Sequence, residues 1–366
     1  MQYGLFTMPS HPPERNLGDG HRWDLQTLRW ADELGFAEAW IGEHHTAPWE
    51  PHPSPDLLIA QSLMETSRIR LAPGGFLLPY HHPAELANRV AMLDHIAQGR
   101  LNFGVAASGL PSDWAMFNVD GMSGVNREMT REALDIILKL WTAEEPFDYP
   151  GKFWKVTRPG PMFDTLRPHI RPLQKPHPPI GVAGLSKGSD TLKLAGEHGF
   201  LPMSLNLNPA YVGSHWQAVE EGARRTGRTP DRRDWRLVRE IFVADTDEAA
   251  WRLSVGAQMG RMMREYFLPL LRNFGFLDYL KHDPSVADSD VTPEYCARHN
   301  WLIGSPPTVI EKLERVYEEV GGFGTILLFC FDYSENPQAW HDSMRLLAEE
   351  VMPRMAVRDG GRRAAE

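Results

Sequence analysis

The chain has 366 residues, of which 42% are hydrophobic, 23% charged and 10% aromatic. This composition supports a substantial hydrophobic core and excludes a disordered or fibrous protein. Lys and Arg total 38 against 48 Asp and Glu, and the resulting formal charge of −10 disfavours a nucleic-acid partner. No apolar run reaches the roughly 20 residues that span a bilayer, and the first residues lack a charged leader. We therefore predict a soluble, cytoplasmic protein.

The two cysteines, Cys296 and Cys330, lie far apart and match no CxxC spacing. Neither a disulfide framework nor a structural zinc site is indicated. We expect two reduced thiols, whose role the sequence leaves open.

Apolar segments of strand length alternate with amphipathic segments of helix length, a pattern typical of parallel sheets with helical crossovers. The predicted strands are residues 3–8, 37–43, 69–78, 100–107, 179–183, 201–205, 237–244 and 325–331. The predicted helices are residues 23–34, 55–66, 83–97, 127–141, 190–198, 209–226, 247–259, 308–320 and 337–355. Two excursions interrupt the alternation, residues 144–179, with a short extra strand at 152–156, and residues 273–299.

Eight strands in such a series close most simply into an α/β fold, a (β/α)8 TIM barrel with insertions over its C-terminal face. An open doubly wound sheet is the alternative, but the GxGxxG that would follow its first strand is absent. We predict one domain over residues 1–356 and a disordered tail over 357–366. The active site of such a barrel lies at the carboxyl ends of its strands.

The clearest candidate catalytic residues are His44 and His45, which follow the second predicted strand in the sequence WIGEHH. At the open end of a barrel, a histidine that titrates near neutrality can hold or relay a proton. The alternative is that one caps a helix while the other packs in the core. A second pair, His81 and His82, raises a metal site, but the first strand ends without the HxH of barrel metallohydrolases. We therefore predict no metal.

Two glycine-containing segments are candidate ligand contacts. Gly74 and Gly75 lie inside the third predicted strand, which they weaken unless something approaches the backbone closely. A flat aromatic ring would fit there, and a bulge without function is nearly as consistent with these residues.

A second small-residue segment, GLSKGSDT at 184–191, leads from the fifth predicted strand into a helix. Free N–H groups and hydroxyls at a helix N-terminus bind phosphate well. The segment lacks the GxxxxGK[ST] spacing, and the alternative is a simple helix cap by Ser189. The candidate ligands are Gly184, Ser186, Gly188, Ser189 and Thr191.

Aromatic residues gather in the segments predicted to surround the open end of the barrel. Many of them are ordinary packing residues, but an apolar cover with few charges favours a lipophilic substrate and the exclusion of water. The candidate substrate contacts are Phe6, Phe76, Trp114 and Phe331.

Over nearly its whole length the chain resembles the bacterial luciferase-like flavin-dependent monooxygenases. The motifs are WIGEHH at 40–45, FLLPYHHP at 76–83, MLDHIAQGRLNFG at 92–104 and GSPPTV at 304–309, of which the third is the most specific. The C-terminal half, with GRTPDR at 227–232 and GGFGT at 321–325, is most similar to the branch of limonene-type and diketocamphane monooxygenases.

The resemblance implies a barrel enzyme, commonly a homodimer, that receives reduced FMN from a separate NAD(P)H:flavin reductase. Dioxygen would react with the flavin to give a hydroperoxide, which oxygenates a lipophilic small molecule such as a terpenoid, a cyclic ketone or an aldehyde. The resemblance further implies an acid/base role for His44 and contact of residues 186–191 with the FMN phosphate. Gly74 and Gly75 would lie beside the isoalloxazine ring, often with a cis peptide.

Two positions depart from the luciferase pattern. Ala106, which we place at the cofactor, stands where luciferases carry a reactive cysteine, and Ala107 replaces the basic residue that follows it. Light emission is therefore not expected, and the flavin phosphate lacks an obvious cationic partner. Baeyer–Villiger insertion, hydroxylation and epoxidation stay open. So do a deazaflavin-dependent dehydrogenase on the same fold and a non-catalytic flavin-binding protein.

Overall fold

The computed structural model describes residues 1–358, with side chains up to Met355. The predicted tail, residues 357–366, therefore lies almost wholly outside the described residues. The strands are Gln2–Thr7 (β1), Glu38–Ile41 (β2), Arg70–Pro73 (β3), Phe76–Leu77 (β4), Phe103–Ala106 (β5), Phe147–Pro150 (β6), Lys155–Arg158 (β7), Ile180–Gly184 (β8), Leu201–Ser204 (β9), Arg236–Arg239 (β10), Ile241–Val243 (β11), Leu302–Gly304 (β12) and Thr325–Phe329 (β13).

Nine of these strands form one parallel sheet in the order β3-β2-β1-β13-β10-β9-β8-β5-β4. A bridge between Leu71 and Leu101 joins its two ends, so the sheet closes into a barrel. Because β3 and β4 are two halves of one strand, the barrel has the predicted eight-strand architecture. The predicted fold class is confirmed.

Every predicted helix has a counterpart, and short helices also form at residues 111–116, 268–273 and 293–299, where none was predicted. The helices are Leu17–Glu33 (α1), Pro55–Glu65 (α2), Pro83–Ala97 (α3), Pro111–Met116 (α4), Val125–Thr142 (α5), Asp190–His198 (α6), Pro209–Gly213 (α7), His215–Arg225 (α8), Asp247–Ser254 (α9), Gln258–Met262 (α10), Leu268–Asn273 (α11), Pro293–His299 (α12), Pro306–Val320 (α13), Pro337–Leu346 (α14) and Met352–Arg358 (α15). None of the helices within residues 1–358 is both long and apolar enough to cross a membrane.

Helix α3 illustrates how local sequence sets these bounds. Pro83 occupies the first turn, where its missing N–H costs no hydrogen bond, and Leu86 and Val90 on one face are buried. The helix ends at Gln98, whose left-handed φ of 51° is followed by Gly99 at 84°. Start and end are those predicted from the sequence.

Trp40 fills the barrel interior. Its side chain is fully buried, and a Cβ placed on Gly181 would lie 2.4 Å from its ring. Gly104 leaves room on a second facing strand, where a Cβ would lie 3.1 Å from the same ring. The indole Nε1 donates to Glu38 at 2.9 Å, and Glu38 pairs with Arg236 at 3.1 Å. Glycines on facing strands thus accommodate one large side chain in the core.

The paired glycines mark the point where the third strand changes neighbours. β3 pairs with β2, whereas β4 pairs with β5. A Cβ on Gly74 would lie 3.1 Å from the backbone of Ile41, and one on Gly75 would lie 2.5 Å from the nitrogen of Val105. The close approach predicted here is therefore made by neighbouring strands. Among the described residues the cis peptide is Lys175–Pro176, so the cis bond implied at the glycine pair is not found.

Two other predictions of secondary structure need correction. The predicted strand 237–244 divides into β10 in the barrel and β11, which pairs with β12 in a separate two-stranded sheet. The extra strand predicted at 152–156 lies instead at 155–158, where it is the second arm of a hairpin, β6–β7, in which Phe147 lies opposite Arg158. In both cases the partner strand is only three or four residues long.

A buried ionic cluster joins the segments that follow the first and last barrel strands. His11 bonds through Nε2 to Asp24 at 3.0 Å and through Nδ1 to Asp332 at 2.9 Å. Arg15 donates to Asp332 at 2.9 Å. Burial alone would lower the pKa of His11, but the two carboxylates raise it to about 9. The imidazolium therefore links α1 to the segment after β13.

This cluster predicts a specific pH dependence of stability. Because the folded pKa of His11 exceeds its ordinary value of 6.5, the stabilisation is complete below that value and is lost as pH rises through about 9. We expect the free energy of unfolding to fall by on the order of 2 kcal/mol more in the native protein than in His11→Asn between about pH 6 and 9.5. Urea denaturation measures this, with His21→Asn on α1 as the control. Parallel curves for native protein and His11→Asn would contradict it.

Candidate active site

The carboxyl ends of the barrel strands, which we call the barrel mouth, carry small and aliphatic side chains that are partly exposed. Most residues within the barrel strands are buried, whereas Met8, Ala106, Ala183 and Leu205, at or just after the strand ends, are partly exposed. Small and aliphatic side chains here leave space for a flat apolar molecule. Ala106, predicted to contact a cofactor, lies at this mouth.

His44 lies at the edge of the mouth between two carboxylates. Its Nε2 is 3.4 Å from Glu50 Oε2, and its Nδ1 is 3.7 Å from Asp113 Oδ2. The imidazole is 16% exposed, while Glu50 and Asp113 are buried. These distances are longer than good hydrogen bonds, so the contacts of His44 with both carboxylates are mainly electrostatic.

The two carboxylates around His44 differ in acidity. Burial tends to raise the pKa of Asp113, but the adjacent His44 and a hydrogen bond from Thr46 hold it below its ordinary value. Burial raises the pKa of Glu50, and His44 and a hydrogen bond from Tyr266 offset only part of that rise. Burial would lower the pKa of His44, but Asp113 and Glu50 raise it. Such divergence between neighbouring groups is typical of acid/base sites.

Glu43 organises the remaining histidines. Its carboxylate is fully buried and bonds to His45 Nε2 at 2.9 Å, to His81 Nε2 at 2.9 Å and to the backbone nitrogen of Leu77 at 3.1 Å. Burial opposes ionisation, yet these bonds from His45 and His81 lower the pKa of Glu43. One histidine of each predicted pair, His45 and His81, therefore bonds to the same carboxylate, whereas His82 is exposed. Within residues 1–358 no group of three or more His, Cys, Asp or Glu side chains is arranged to hold a metal.

An aromatic wall adjoins His45. Its ring packs edge-on against Tyr80 at 5.6 Å and Phe117 at 4.6 Å, and the last two stack at 4.2 Å. The Tyr80 hydroxyl bonds to Ser108 at 2.8 Å, and burial raises its pKa to about 12. This wall covers one side of the mouth with apolar surface.

The segment 184–191 follows β8 at the mouth. A Cβ on Gly184 would lie 2.4 Å from Leu192, and Gly188 has a left-handed φ of 63° with open space beside it. Ser189 caps α6 by accepting from the nitrogen of Leu192 at 3.4 Å. The Thr191 hydroxyl donates to the carbonyl of Ala183 at 2.7 Å, so it is partly committed within the chain.

Four residues of the same segment are exposed, namely Ser186, Lys187, Gly188 and Asp190. The backbone nitrogen of Lys187 bonds to the Tyr211 hydroxyl at 3.0 Å. The Lys187 ammonium lies 5.2 Å from the Tyr211 ring. Lys187 is therefore a cation at the position where sequence reasoning found none.

The four predicted substrate aromatics occupy different environments. Phe6 and Phe331 are 3% exposed and belong to the hydrophobic core. Phe76 is fully buried against His81 and Phe103, with Arg89 over its ring. Trp114 on α4 is partly exposed. The cysteines Cys296 and Cys330 are buried and unpaired, as expected.

Several residues of the site escaped sequence reasoning, namely Glu43, Glu50, Asp113, Lys187 and Tyr266. Glu43 and Glu50 flank the predicted histidines within WIGEHHTAPWE, and that proximity is a usable signal. Asp113 and Tyr266 come from distant parts of the chain, and only the folded structure brings them to His44.

A parallel barrel with ionisable groups gathered at the carboxyl ends of its strands is the arrangement of a barrel enzyme. The family model for luciferase-like monooxygenases matches residues 1–322, and the chain belongs to this family. The fold, the family and the class of enzyme predicted from the sequence are confirmed.

Individual relatives cover nearly the whole chain. The 2,5-diketocamphane 1,2-monooxygenase 1 of Pseudomonas putida is 34% identical over 98% of this chain and 100% of its own length. The limonene 1,2-monooxygenase of Rhodococcus erythropolis is 31% identical over 96% of this chain and 86% of its own. Among solved structures, the oxygenating constituent of 3,6-diketocamphane monooxygenase from P. putida has a TM-score of 0.91 and 34% identity. The likeness covers 97% of this chain and 98% of that one, which is described as a type II Baeyer–Villiger monooxygenase in complex with FMN.

Proposed function

We propose that this protein binds reduced FMN at the barrel mouth and uses dioxygen to oxygenate a lipophilic cyclic ketone of terpenoid type. The observation that carries the proposal is the imidazole of His44 held between Asp113 and Glu50 beside the partly exposed apolar side chains of the barrel mouth. Oxygen insertion next to a carbonyl needs a group that takes up and returns a proton, in surroundings that exclude water. The diketocamphane monooxygenases among the relatives support a ketone as substrate.

The residues at the mouth fit FMN. The apolar side chains of the mouth, Ala106 among them, suit a flat isoalloxazine ring, beside the backbone at Gly74 and Gly75. The segment 184–191 offers the exposed Ser186, the N-terminus of α6 and Lys187 for a phosphate. In this assignment Gly184, Ser186, Gly188, Ser189 and Thr191 surround the phosphate end. Reduced FMN, when bound, supplies the two electrons that activate dioxygen.

The side chains around the mouth divide the remaining work. His44 holds or moves the proton, because its imidazole lies between two carboxyl groups, one with a raised pKa and one with a lowered pKa. His45 positions the aromatic wall, because its Nε2 is engaged by Glu43. Tyr80, Phe117 and Trp114 exclude water and contact the substrate.

A separate reductase would supply the reduced flavin. The sequence has no GxGxxG for a nicotinamide cofactor, so the electrons must arrive on a diffusing carrier. A relative from Acinetobacter baylyi, 28% identical, is described as the oxygenase component of a trigonelline monooxygenase. That wording supports a two-component system.

Anaerobic titration tests the cofactor assignment against the dehydrogenase alternative. We expect the apoprotein to bind reduced FMN at micromolar concentrations or below and reduced deazaflavin at least about tenfold more weakly. Admission of dioxygen with a bicyclic ketone should then yield a lactone. Preference for the reduced deazaflavin would overturn the proposal.

Lys187→Ala tests the phosphate site. Because the ammonium would pair with the phosphate, we expect the variant to bind reduced FMN about 3- to 10-fold more weakly. Binding of reduced riboflavin, which lacks the phosphate, should be unchanged. Fluorescence or calorimetric titration measures both ligands, and Lys152→Ala on the β6–β7 hairpin is the control. Equal losses for FMN and riboflavin would contradict the assignment.

We further propose that the protein is a homodimer that buries an exposed apolar face on α2 and α3. Leu57 and Met64 on α2 are 68% and 79% exposed, and Met92 and Ile96 on the neighbouring α3 are 55% and 41% exposed. In a symmetric dimer, the same face of a second copy would pack against this surface and bury its apolar side chains. Light scattering should give a dimer for the native protein and a monomer for Met64→Glu/Met92→Glu. A monomeric native protein would contradict this.

A further inference from the structure

A helical segment that lies far from His44 in the sequence packs against the His44 site. It consists of α10, the π-helical turn Met263–Phe267 and α11, and we call residues 258–273 the covering segment. Its inner face buries Met259, Met262, Met263, Leu268 and Leu271 in the core. A π-helical turn shifts the side chains that follow it, and such turns are frequent at functional sites. Here the turn contains Tyr266.

Tyr266 is the polar link between the covering segment and the His44 loop. Its hydroxyl donates to Glu50 Oε2 at 2.7 Å, the same oxygen that lies 3.4 Å from His44 Nε2. The Tyr266 ring stacks on Trp49 at 6.4 Å with an angle of 19°. Arg261 lies over Trp49 at 5.4 Å and donates to Glu14 at 2.7 Å. These ring and ionic contacts hold the covering segment against the His44 loop, so that the Tyr266 hydroxyl stays within hydrogen-bonding distance of Glu50.

We propose that Tyr266 and Glu50 are positioning residues for His44, and that docking of the covering segment stabilises the protonated imidazole through the Tyr266–Glu50 hydrogen bond. This inference rests on the acid/base role of His44 in the proposed function. It assigns a chemical task to the covering segment, because the segment reaches the proton-bearing group through a single shared oxygen.

The charges around His44 support this direction. From its own loop Glu43 and Glu50 act on the imidazole, from α4 Asp113 does so, and from the covering segment only the neutral Tyr266 reaches the cluster. Burial raises the pKa of Tyr266, so at neutral pH its hydroxyl donates to Glu50. A donated hydrogen bond favours the ionised carboxylate, and an ionised Glu50 favours the imidazolium.

The proton balance follows from this arrangement. With the covering segment docked, the proton shared by the pair leaves Glu50 Oε2 and binds His44 Nε2, giving a carboxylate and an imidazolium. Without the Tyr266 bond the buried carboxyl retains its proton, because burial disfavours its charge. The Nδ1 atom of His44 is buried beside Asp113, and Nε2 is the ring nitrogen that faces Glu50.

The test measures the titration of His44 directly. Modification of His44 by diethyl pyrocarbonate, followed by mass spectrometry across a pH series, gives its apparent pKa without any flavin or substrate. We expect that pKa to fall by about one unit in Glu50→Gln and by about half a unit in Tyr266→Phe. The double variant should resemble Glu50→Gln, because the tyrosine acts through the carboxylate. Tyr295→Phe, which removes a hydroxyl bonded to His282, is the matched control and should leave His44 unchanged.

The outcomes separate this proposal from the proposed function. An apparent pKa of His44 within about 0.2 units of the native value in both variants, with melting temperatures preserved, overturns the positioning role. So does an additive effect in the double variant. A native protein that oxygenates no ketone but shows the two shifts contradicts the proposed function alone. In an active enzyme, we expect Tyr266→Phe to shift the pH profile of kcat while leaving the KM for the ketone within about twofold.

Discussion

We expect His44→Ala to lower the rate of ketone oxygenation by about 10²- to 10³-fold while reduced FMN still binds. The reason is that the imidazole lies beside the mouth, between Glu50 and Asp113, and alanine offers no group that can take up a proton there. Loss of the proton-handling group slows oxygen transfer but removes little surface from the flavin site. Single-turnover product formation and anaerobic flavin titration measure the two effects separately.

His45→Gln is the matched control for this experiment. His45 is the adjacent residue, but its Nε2 is held by Glu43 and its ring packs on Tyr80 and Phe117. We expect a smaller loss of rate, about tenfold or less, together with more hydrogen peroxide released per flavin oxidised, because the aromatic wall loosens. Unchanged single-turnover oxygenation in His44→Ala would remove His44 from the catalytic role.

We expect Trp40→Ala to destabilise the folded protein by about 3–5 kcal/mol. Trp40 is fully buried between facing strands, and Gly104 and Gly181 leave no side chain to fill the space after truncation. The variant also leaves Glu38 without its indole donor. Urea denaturation measures the loss, with the partly exposed Trp154→Ala as the control.

A coupled substitution tests whether shape complementarity causes that loss. Gly181→Ala alone should cost about 1–3 kcal/mol, because the new methyl would lie 2.4 Å from the Trp40 ring. In the Trp40→Ala background the same methyl enters the cavity, so its cost should disappear. Additive losses would show that the two positions do not contact each other in the folded protein.

The fold was largely predictable, because each βα unit carries its own local signals. The 3.6-residue periodicity and the proline at its start define α3 to the residue, and α6 likewise matches its predicted bounds. Short strands were harder, since β12 has three residues and pairs only with β11. Three residues are too few to show a periodic pattern of apolar side chains, and the partner strand β11 is equally short.

The site was predictable only in part, for a physical reason. His44 and His45 stand out because they directly follow a barrel strand, and the fold places every such residue at the mouth. The groups that set the acidity of His44 come from other segments: Asp113 from α4 and Tyr266 from the covering segment. Their approach depends on loop packing, and no local periodicity encodes it. Phe76, which we predicted as a substrate contact, is fully buried, with Arg89 of helix α3 over its ring. The sequence position of a strand residue does not reveal which side of the barrel wall its side chain faces.

Isotope tracing during a single turnover tests the central claim most directly. Protein loaded with reduced FMN in the absence of air is mixed with ¹⁸O₂ and a bicyclic terpenoid ketone, and the product is analysed by mass spectrometry. We predict a lactone that carries one ¹⁸O atom per molecule, in a yield that falls with His44→Ala. Reoxidation of the flavin that releases only labelled hydrogen peroxide, with the ketone recovered unchanged across a panel of such ketones, would contradict the account.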